Sequence, residues 1–76
     1  MPMAYVLINV EMGAEPDVLK KLRRLPKVKE AHSVYGIYDL IAEVEFETLS
    51  GLKNYIYKHI RNLDKVRSTL TMIVSD

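Results

Sequence analysis

The spacing of hydrophobic positions changes along the chain, and each change predicts a new element. Residues 4–10 form an apolar run rich in β-branched side chains, which predicts a strand with two largely apolar faces. After Gly13, a proline and two acidic residues indicate the start of a helix, because both are favoured in a first turn. Apolar residues then recur at helical spacing until Pro26, which stops the helix.

The middle of the chain predicts a hairpin of two strands around a short turn at Gly36. Residues 28–35 are the first strand of this prediction, and residues 38–47 are the second. The second strand alternates strictly between two faces, which is the clearest strand pattern in the sequence. One face carries Tyr38, Leu40, Ala42, Val44 and Phe46, and the other carries Asp39, Ile41, Glu43, Glu45 and Glu47.

A second helix and a fourth strand complete the predicted order. Thr48 or Ser50 can cap the helix, which we expect to end at residues 62–64. Its buried stripe is predicted to be Leu49, Leu52, Ile56, Ile60 and Leu63. The fourth strand covers residues 66–74, with Arg67, Thr69, Thr71 and Ile73 on one side and Ser68, Leu70, Met72 and Val74 on the other.

The order β-α-β-β-α-β predicts a ferredoxin-like fold of the α+β class, with an antiparallel sheet and both helices on one face. The 76 residues make one domain, residues 1–76, whose own core is marginal. Because the chain has no cysteine, disulfides and thiolate metal sites are excluded. Association then remains as a source of stability. Since several strands are apolar on both sides, we expect a second copy to cover the open sheet face in a dimeric α+β barrel.

The charges are nearly balanced, with 11 basic and 10 acidic residues and a net charge of +1. This balance lacks the basic excess that nucleic-acid binding requires, so we expect no direct contact with nucleic acid. The cluster Lys20, Lys21, Arg23 and Arg24 is interpreted as a solvated helix face, with a nucleic-acid- or anion-binding patch as the alternative. The N-terminal apolar run is too short for a signal peptide or a membrane span, so a cytoplasmic protein is expected.

No motif for catalysis or cofactor binding is present. The glycines are isolated, and no phosphate-binding loop or nucleophile elbow surrounds them. His32 and His59 lie far apart without the spacing of metal ligands, and both are interpreted as structural. The alternating Glu43, Glu45 and Glu47 are interpreted as a polar strand face that discourages edge aggregation. The sequence therefore predicts no catalytic residue, no metal and no cofactor.

The candidate chemistry is concentrated in residues 34–39, around the glycine turn. A glycine turn presents free backbone N–H groups, and two tyrosines, an isoleucine and the carboxylate of Asp39 surround it. A zwitterionic amino acid needs such parts: donors for its carboxylate, an acceptor for its ammonium and apolar walls. The alternative from these residues alone is a plain hairpin in which Asp39 bonds to its own turn.

The turn Gly36-Ile37-Tyr38-Asp39, the alternating strand after it and the closing strand at residues 67–74 resemble the ligand-binding domain of Lrp/AsnC transcription regulators. The resemblance covers essentially the whole chain. It implies dimers formed through the sheets, assembly into tetramers or octamers, and amino acid effectors bound where dimers meet. The site residues it implies are Tyr35, Gly36, Tyr38, Asp39, Thr69 and Thr71.

The same resemblance suggests a role for each group. The Gly36 turn and the threonine hydroxyls would hold the effector's carboxylate, and Asp39 would pair with its ammonium. Full regulators of this family carry a helix-turn-helix domain before the first strand. Here the strand begins at about Ala4, so we expect no recognition helix, and action through assembly with itself or with full-length regulators.

Two other functions share the predicted fold. Dimeric α+β-barrel monooxygenases and isomerases place polar groups in an internal cavity, whereas this chain offers chiefly Val, Ile, Leu and Phe there. Amino-acid-binding modules fused to metabolic enzymes have a glycine-rich loop after the first strand, and Gly13 matches that loop only in part.

Overall fold

The elements follow one another in the predicted order β-α-β-β-α-β. In the computed structural model, which describes residues 1–76, the strands are β1 (Met3–Val10), β2 (Val28–Ser33), β3 (Leu40–Glu45) and β4 (Val66–Ile73). The helices are α1 (Glu15–Arg24) and α2 (Leu49–His59). The four strands form one sheet in the order β2-β3-β1-β4, and every neighbouring pair is antiparallel. The predicted ferredoxin-like α+β fold is therefore confirmed.

A single core lies between one face of the sheet and the two helices. Every second residue of β1 is buried, from Ala4 to Val10, and the same alternation continues through Leu40, Ala42 and Val44 of β3. The helices bury Val18, Leu22, Leu52 and Ile56 against this face, followed by Ile60 at the end of α2. All fourteen buried residues are hydrophobic. Since one sheet face carries the whole core, both helices lie on that side, as predicted.

The helix boundaries follow the local signals in part. Thr48 caps α2, and its Oγ1 accepts a hydrogen bond from the Gly51 N–H at 3.0 Å. The predicted end of α2 at residues 62–64 is wrong, because the helix stops at His59 and the Leu63 side chain reaches the core from a turn. Leu49 is 45% exposed, so its place in the buried stripe is also wrong. It is the first residue of the helix and lies beyond the rim of the core.

The connection between β2 and β3 differs from the predicted hairpin. Strand β2 ends at Ser33 and β3 begins at Leu40, so residues 34–39 form a six-residue loop instead of a short turn at Gly36. The Val34 N–H donates to the Asp39 carbonyl at 3.0 Å and closes this loop. The Asp39 N–H donates to the Ile8 carbonyl of β1 at 3.0 Å, so the Asp39 backbone is bonded both to Val34 and to β1.

The second face of the sheet carries no helix and is partly apolar. Tyr5, Leu7 and Ile41 are half-buried there, although only strand neighbours surround them. In register beside them on β4, Leu70 is 44% exposed and Met72 is 47% exposed. We call this set the open-face strip. No helix of the fold has the length and apolar character needed to cross a membrane.

Candidate functional site

Asp39 occupies the end of the sheet where β1 finishes and β3 begins. Its Oδ2 accepts a hydrogen bond from the backbone N–H of Val10 at 2.9 Å. Val10 is 5% exposed, so water has little access to this amide. A carboxylate that accepts a backbone N–H makes a charge-assisted bond of the strong kind. The Asp39 side chain makes no hydrogen bond to its own turn, and its other oxygen, Oδ1, has no partner within the chain.

An open concavity of about 400 Å³ lies against Asp39. Asn9 and Ser68 contribute polar groups to it, and the Asn9 amide donates to the Ser68 hydroxyl oxygen at 3.3 Å. The other two lining residues are Val10 and Arg67. A carboxylate, an amide, a hydroxyl and a guanidinium therefore surround one space at the end of the sheet. We call this space the Asp39 concavity.

The remaining residues of the predicted turn lie beside this concavity but do not line it. Tyr35 is fully exposed and Ile37 is 88% exposed, both on the outward side of the loop. Gly36 has a φ of 146°, in the region that favours glycine, and a Cβ there would meet no atom within 4 Å. Tyr38 is half-buried. Asp39 is thus the only member of the turn that the fold brings into the concavity.

The two predicted threonines are not brought together with Asp39 within one chain. Thr69 lies opposite Ile8 and Thr71 lies opposite Val6, so both belong to the helix side of β4. Thr71 lines a separate groove between α2 and β4, of about 240 Å³, together with Tyr57. Ser68, whose neighbour in register is Asn9, belongs to the Asp39 concavity instead.

Sequence reasoning named only Asp39 among the five lining residues, and of the four that it missed, Arg67 is the one whose position depends on an irregular strand pairing. It was expected on the same side of the fourth strand as Thr69, which strict alternation requires. The register of β4 against β1 shifts between Asn9 and Val10, because Asn9 pairs with Ser68 and Val10 pairs with Val66. Arg67 is left unpaired and faces the Asp39 concavity. A bulge has no signature in this sequence, so only the tertiary pairing reveals it.

Other polar groups on the surface form ordinary ion pairs. His32 Nε2 lies 3.0 Å from Glu30, and Lys27 Nζ lies 3.2 Å from Glu47. The hydrogen bond from Lys27 lowers the pKa of the Glu47 carboxyl below its ordinary value. No three His, Asp or Glu side chains come close enough to hold a metal ion. None of these pairs lines the Asp39 concavity.

The comparison with known proteins settles the kind of domain. Residues 3–76 match the family model of the Lrp/AsnC ligand binding domain. The chain belongs to the Lrp/AsnC family. Among its curated relatives is the HTH-type transcriptional regulator FL11 of Pyrococcus furiosus, 29% identical over 72 residues. The match covers 95% of this chain and 47% of FL11, so the chain spans about half the length of that relative.

Solved structures share this fold closely. The structure of FFRP-DM1 superposes with a TM-score of 0.95 at 43% identity, and the match covers 99% of this chain and all of FFRP-DM1. A transcriptional regulator of Neisseria meningitidis superposes with a TM-score of 0.88 at 14% identity, which shows the fold alone. That match covers 99% of this chain and 50% of the regulator.

Family membership decides between the functions that the fold left open. Lrp/AsnC proteins are transcription regulators, and the curated relatives are regulators of the same kind. The prediction that this domain is not an enzyme is therefore confirmed. The chain is a regulatory ligand-binding domain rather than a small α+β-barrel enzyme.

Proposed function

We propose that this domain binds a free amino acid and passes that signal to transcription through its state of assembly. The observation that carries the proposal is the Asp39 concavity. It presents a carboxylate oxygen without a partner beside an amide and a hydroxyl. Ligand sites of small molecules commonly combine a concave surface with a few converging polar groups.

The groups around the concavity match the two ends of an amino acid. Asp39 Oδ1 can accept a hydrogen bond from an ammonium while Oδ2 stays bonded to Val10. The Ser68 hydroxyl accepts from Asn9 and keeps its own proton to donate toward a carboxylate. The Neisseria regulator with the same fold was solved as a complex with L-methionine, which supports an amino acid as the ligand class.

Other predicted site residues enter this proposal through a neighbouring copy. Tyr35 and Ile37 project outward from the loop beside the concavity, where the next molecule can contact them. Thr69 and Thr71 lie on the other side of their own sheet. In the proposed assembly the strand of a neighbouring copy brings these hydroxyls to the effector, and the Gly36 turn adds backbone donors.

The open-face strip supports association of two copies through their sheets. Leu70 and Met72 are nearly half exposed on this face, and Tyr5, Leu7 and Ile41 lie beside them. A helix-free, partly apolar face is a characteristic of sheets that pack against another layer. We propose a dimer through this face, with further assembly through the loop end of the domain.

Assembly gives the effector its means of regulation. An amino acid that bridges copies favours the larger form, because it binds that form more tightly. The larger form consists of this chain alone or of this chain with full-length Lrp/AsnC regulators. In the mixed form, contact with DNA belongs to the regulators.

A thermal-shift screen of the twenty amino acids, with native mass spectrometry in parallel, tests this proposal. A ligand at a hundred times its dissociation constant stabilises a protein by about 2.7 kcal/mol. In a domain of this size that corresponds to a rise in melting temperature of about 10 °C or more. We expect such a rise for at least one amino acid, together with a larger assembly. No shift with any of the twenty, and no change in mass, would contradict the proposal.

The variant Asp39→Asn tests the role of the carboxylate without removing the bond to Val10. Its side-chain oxygen still accepts the amide, but the charge opposite the ammonium is gone. We expect binding to weaken about 10- to 100-fold, the effect of losing one charge-assisted bond. Asp64→Asn is the matched control, because Asp64 is exposed and makes no side-chain hydrogen bond. Equal affinity of the two variants would remove Asp39 from the site.

A further inference from the structure

The start of β4 is irregular, and this irregularity both turns Val66 toward the core opposite Val10 and frees Arg67 from the strand ladder. Lys65, directly before the strand, has a φ of 73°, although it is not a glycine. Its carbonyl accepts a hydrogen bond from the Glu11 N–H at 2.9 Å, which holds this conformation. Two residues later the register against β1 shifts and leaves Arg67 outside the ladder. Backbone strain and bulges are concentrated at places where a protein must aim a side chain.

The side chain that this irregularity aims is a cation without an acidic partner. Arg67 lines the Asp39 concavity, and none of the four salt bridges of the chain includes it. It also lines the neighbouring concavity along the strand edge, beside Arg61 and Thr69. No carboxylate of this chain, Asp39 included, lies within salt-bridge distance of its guanidinium.

One concavity therefore holds a free guanidinium and a free carboxylate oxygen that do not neutralise each other. A guanidinium presents paired N–H donors that match the two oxygens of a carboxylate. The open Oδ1 of Asp39 matches an ammonium. Opposite charges held apart at a distance too long for a direct pair are complementary to a small zwitterion placed between them.

We propose that Arg67 binds the α-carboxylate of the ligand and makes the site selective for amino acids whose carboxylate is free. This inference rests on the proposed function, because it concerns the same site. It adds the residue that recognises the anionic end and assigns the two charged ends to opposite walls of the concavity. Amino acid amides and esters keep the ammonium but lose the group that Arg67 recognises, so they are poor ligands.

The test compares amino acids with their carboxamides by isothermal titration calorimetry on the full chain. The probes are those of the twenty amino acids that bind the wild-type protein, each with its carboxamide. Arg67→Gln removes the charge, and Arg67→Lys keeps the charge but loses the paired donors. Arg24→Gln is the matched control, because Arg24 is exposed on α1 and makes no salt bridge. Circular dichroism and melting temperature establish that each variant is folded.

The wild-type protein is expected to prefer the free acid over the amide by about 10- to 100-fold, the value of one charge-assisted interaction. Arg67→Gln should lower the affinity for the acid by that factor and leave the affinity for the amide unchanged. The affinity of Arg67→Lys for the acid should lie between that of the wild type and that of Arg67→Gln. The affinities of Arg24→Gln should match those of the wild type. An acid preference that survives in Arg67→Gln would overturn this inference and leave the proposed function intact. A wild-type protein that binds no amino acid would overturn both.

Discussion

The double attachment of Asp39 makes a strong prediction about stability. In Asp39→Ala the Val10 amide loses the carboxylate that accepts from it at 2.9 Å. Because Val10 is 5% exposed, water replaces that acceptor poorly, and the amide is left buried without a partner. Such a loss costs about 1–3 kcal/mol, against a total stability of about 4–11 kcal/mol for a chain of this length. The backbone bonds of Asp39 to Val34 and Ile8 stay in place.

Urea denaturation followed by circular dichroism measures this cost. With a urea dependence of about 1 kcal/mol per molar for a small domain, a loss of 2 kcal/mol lowers the midpoint by about 2 M. Protein concentration must be held constant, because association adds to apparent stability. Asp39→Asn keeps an acceptor for Val10, so its midpoint should lie between those of Asp39→Ala and the wild type. An Asp39→Ala midpoint equal to that of the Asp64→Ala control would refute the reasoning.

Two further predictions concern the surroundings of α2. Helix propensity alone predicts that Gly51→Ala raises the stability of the protein by about 1 kcal/mol. The new methyl would however collide with the Phe46 ring and with the Thr48 side chain that caps the helix. We therefore expect Gly51→Ala to lower the melting temperature. Gly51→Ala should lower the melting temperature less in a Phe46→Ala background than in the wild type, because the ring that its methyl meets is gone. A higher melting temperature for Gly51→Ala alone would contradict the packing. The pKa of Glu47 lies below its ordinary value of 4.5 because Lys27 donates a hydrogen bond to its carboxyl. The stability that this pair gives the fold is therefore present above the ordinary pKa and is lost as the pH falls through the folded-state pKa. An NMR titration should show the Glu47 pKa rise toward the ordinary value in Lys27→Met, while the backbone hydrogen bond of Glu47 keeps part of the lowering.

Asp39 illustrates how one side chain can serve both the fold and the site. Its Oδ2 fixes the end of β1 to the loop before β3, and its Oδ1 has no partner in the chain, while Asp39 lines the Asp39 concavity. For this reason the loss of binding in Asp39→Ala would mix two effects. Asp39→Asn separates them, since it removes the charge and keeps an oxygen for Val10.

Local patterns in the sequence determined the elements and their order. The alternation from Tyr38 to Phe46 predicted which side of β3 is buried, because strand side chains alternate whatever the partner strand is. Thr48 predicted the start of α2, since an N-cap depends only on residues a turn away. The family motif around Gly36 and Asp39 likewise lies in consecutive residues, and it led to the family that the comparison confirmed.

The tertiary structure alone decided what faces the concavity. Asp39 bonds to Val10, 29 residues away in the chain, and no local pattern contains that contact. The bulge at Arg67 arises from the pairing of β4 with β1, whose residues are more than 50 positions apart. The same register decides that Ser68 lies on the side of the sheet that carries Asn9 and that Thr69 lies on the side that carries Ile8. Periodicity is a property of neighbouring residues, whereas a site at the end of a sheet depends on how distant strands are aligned.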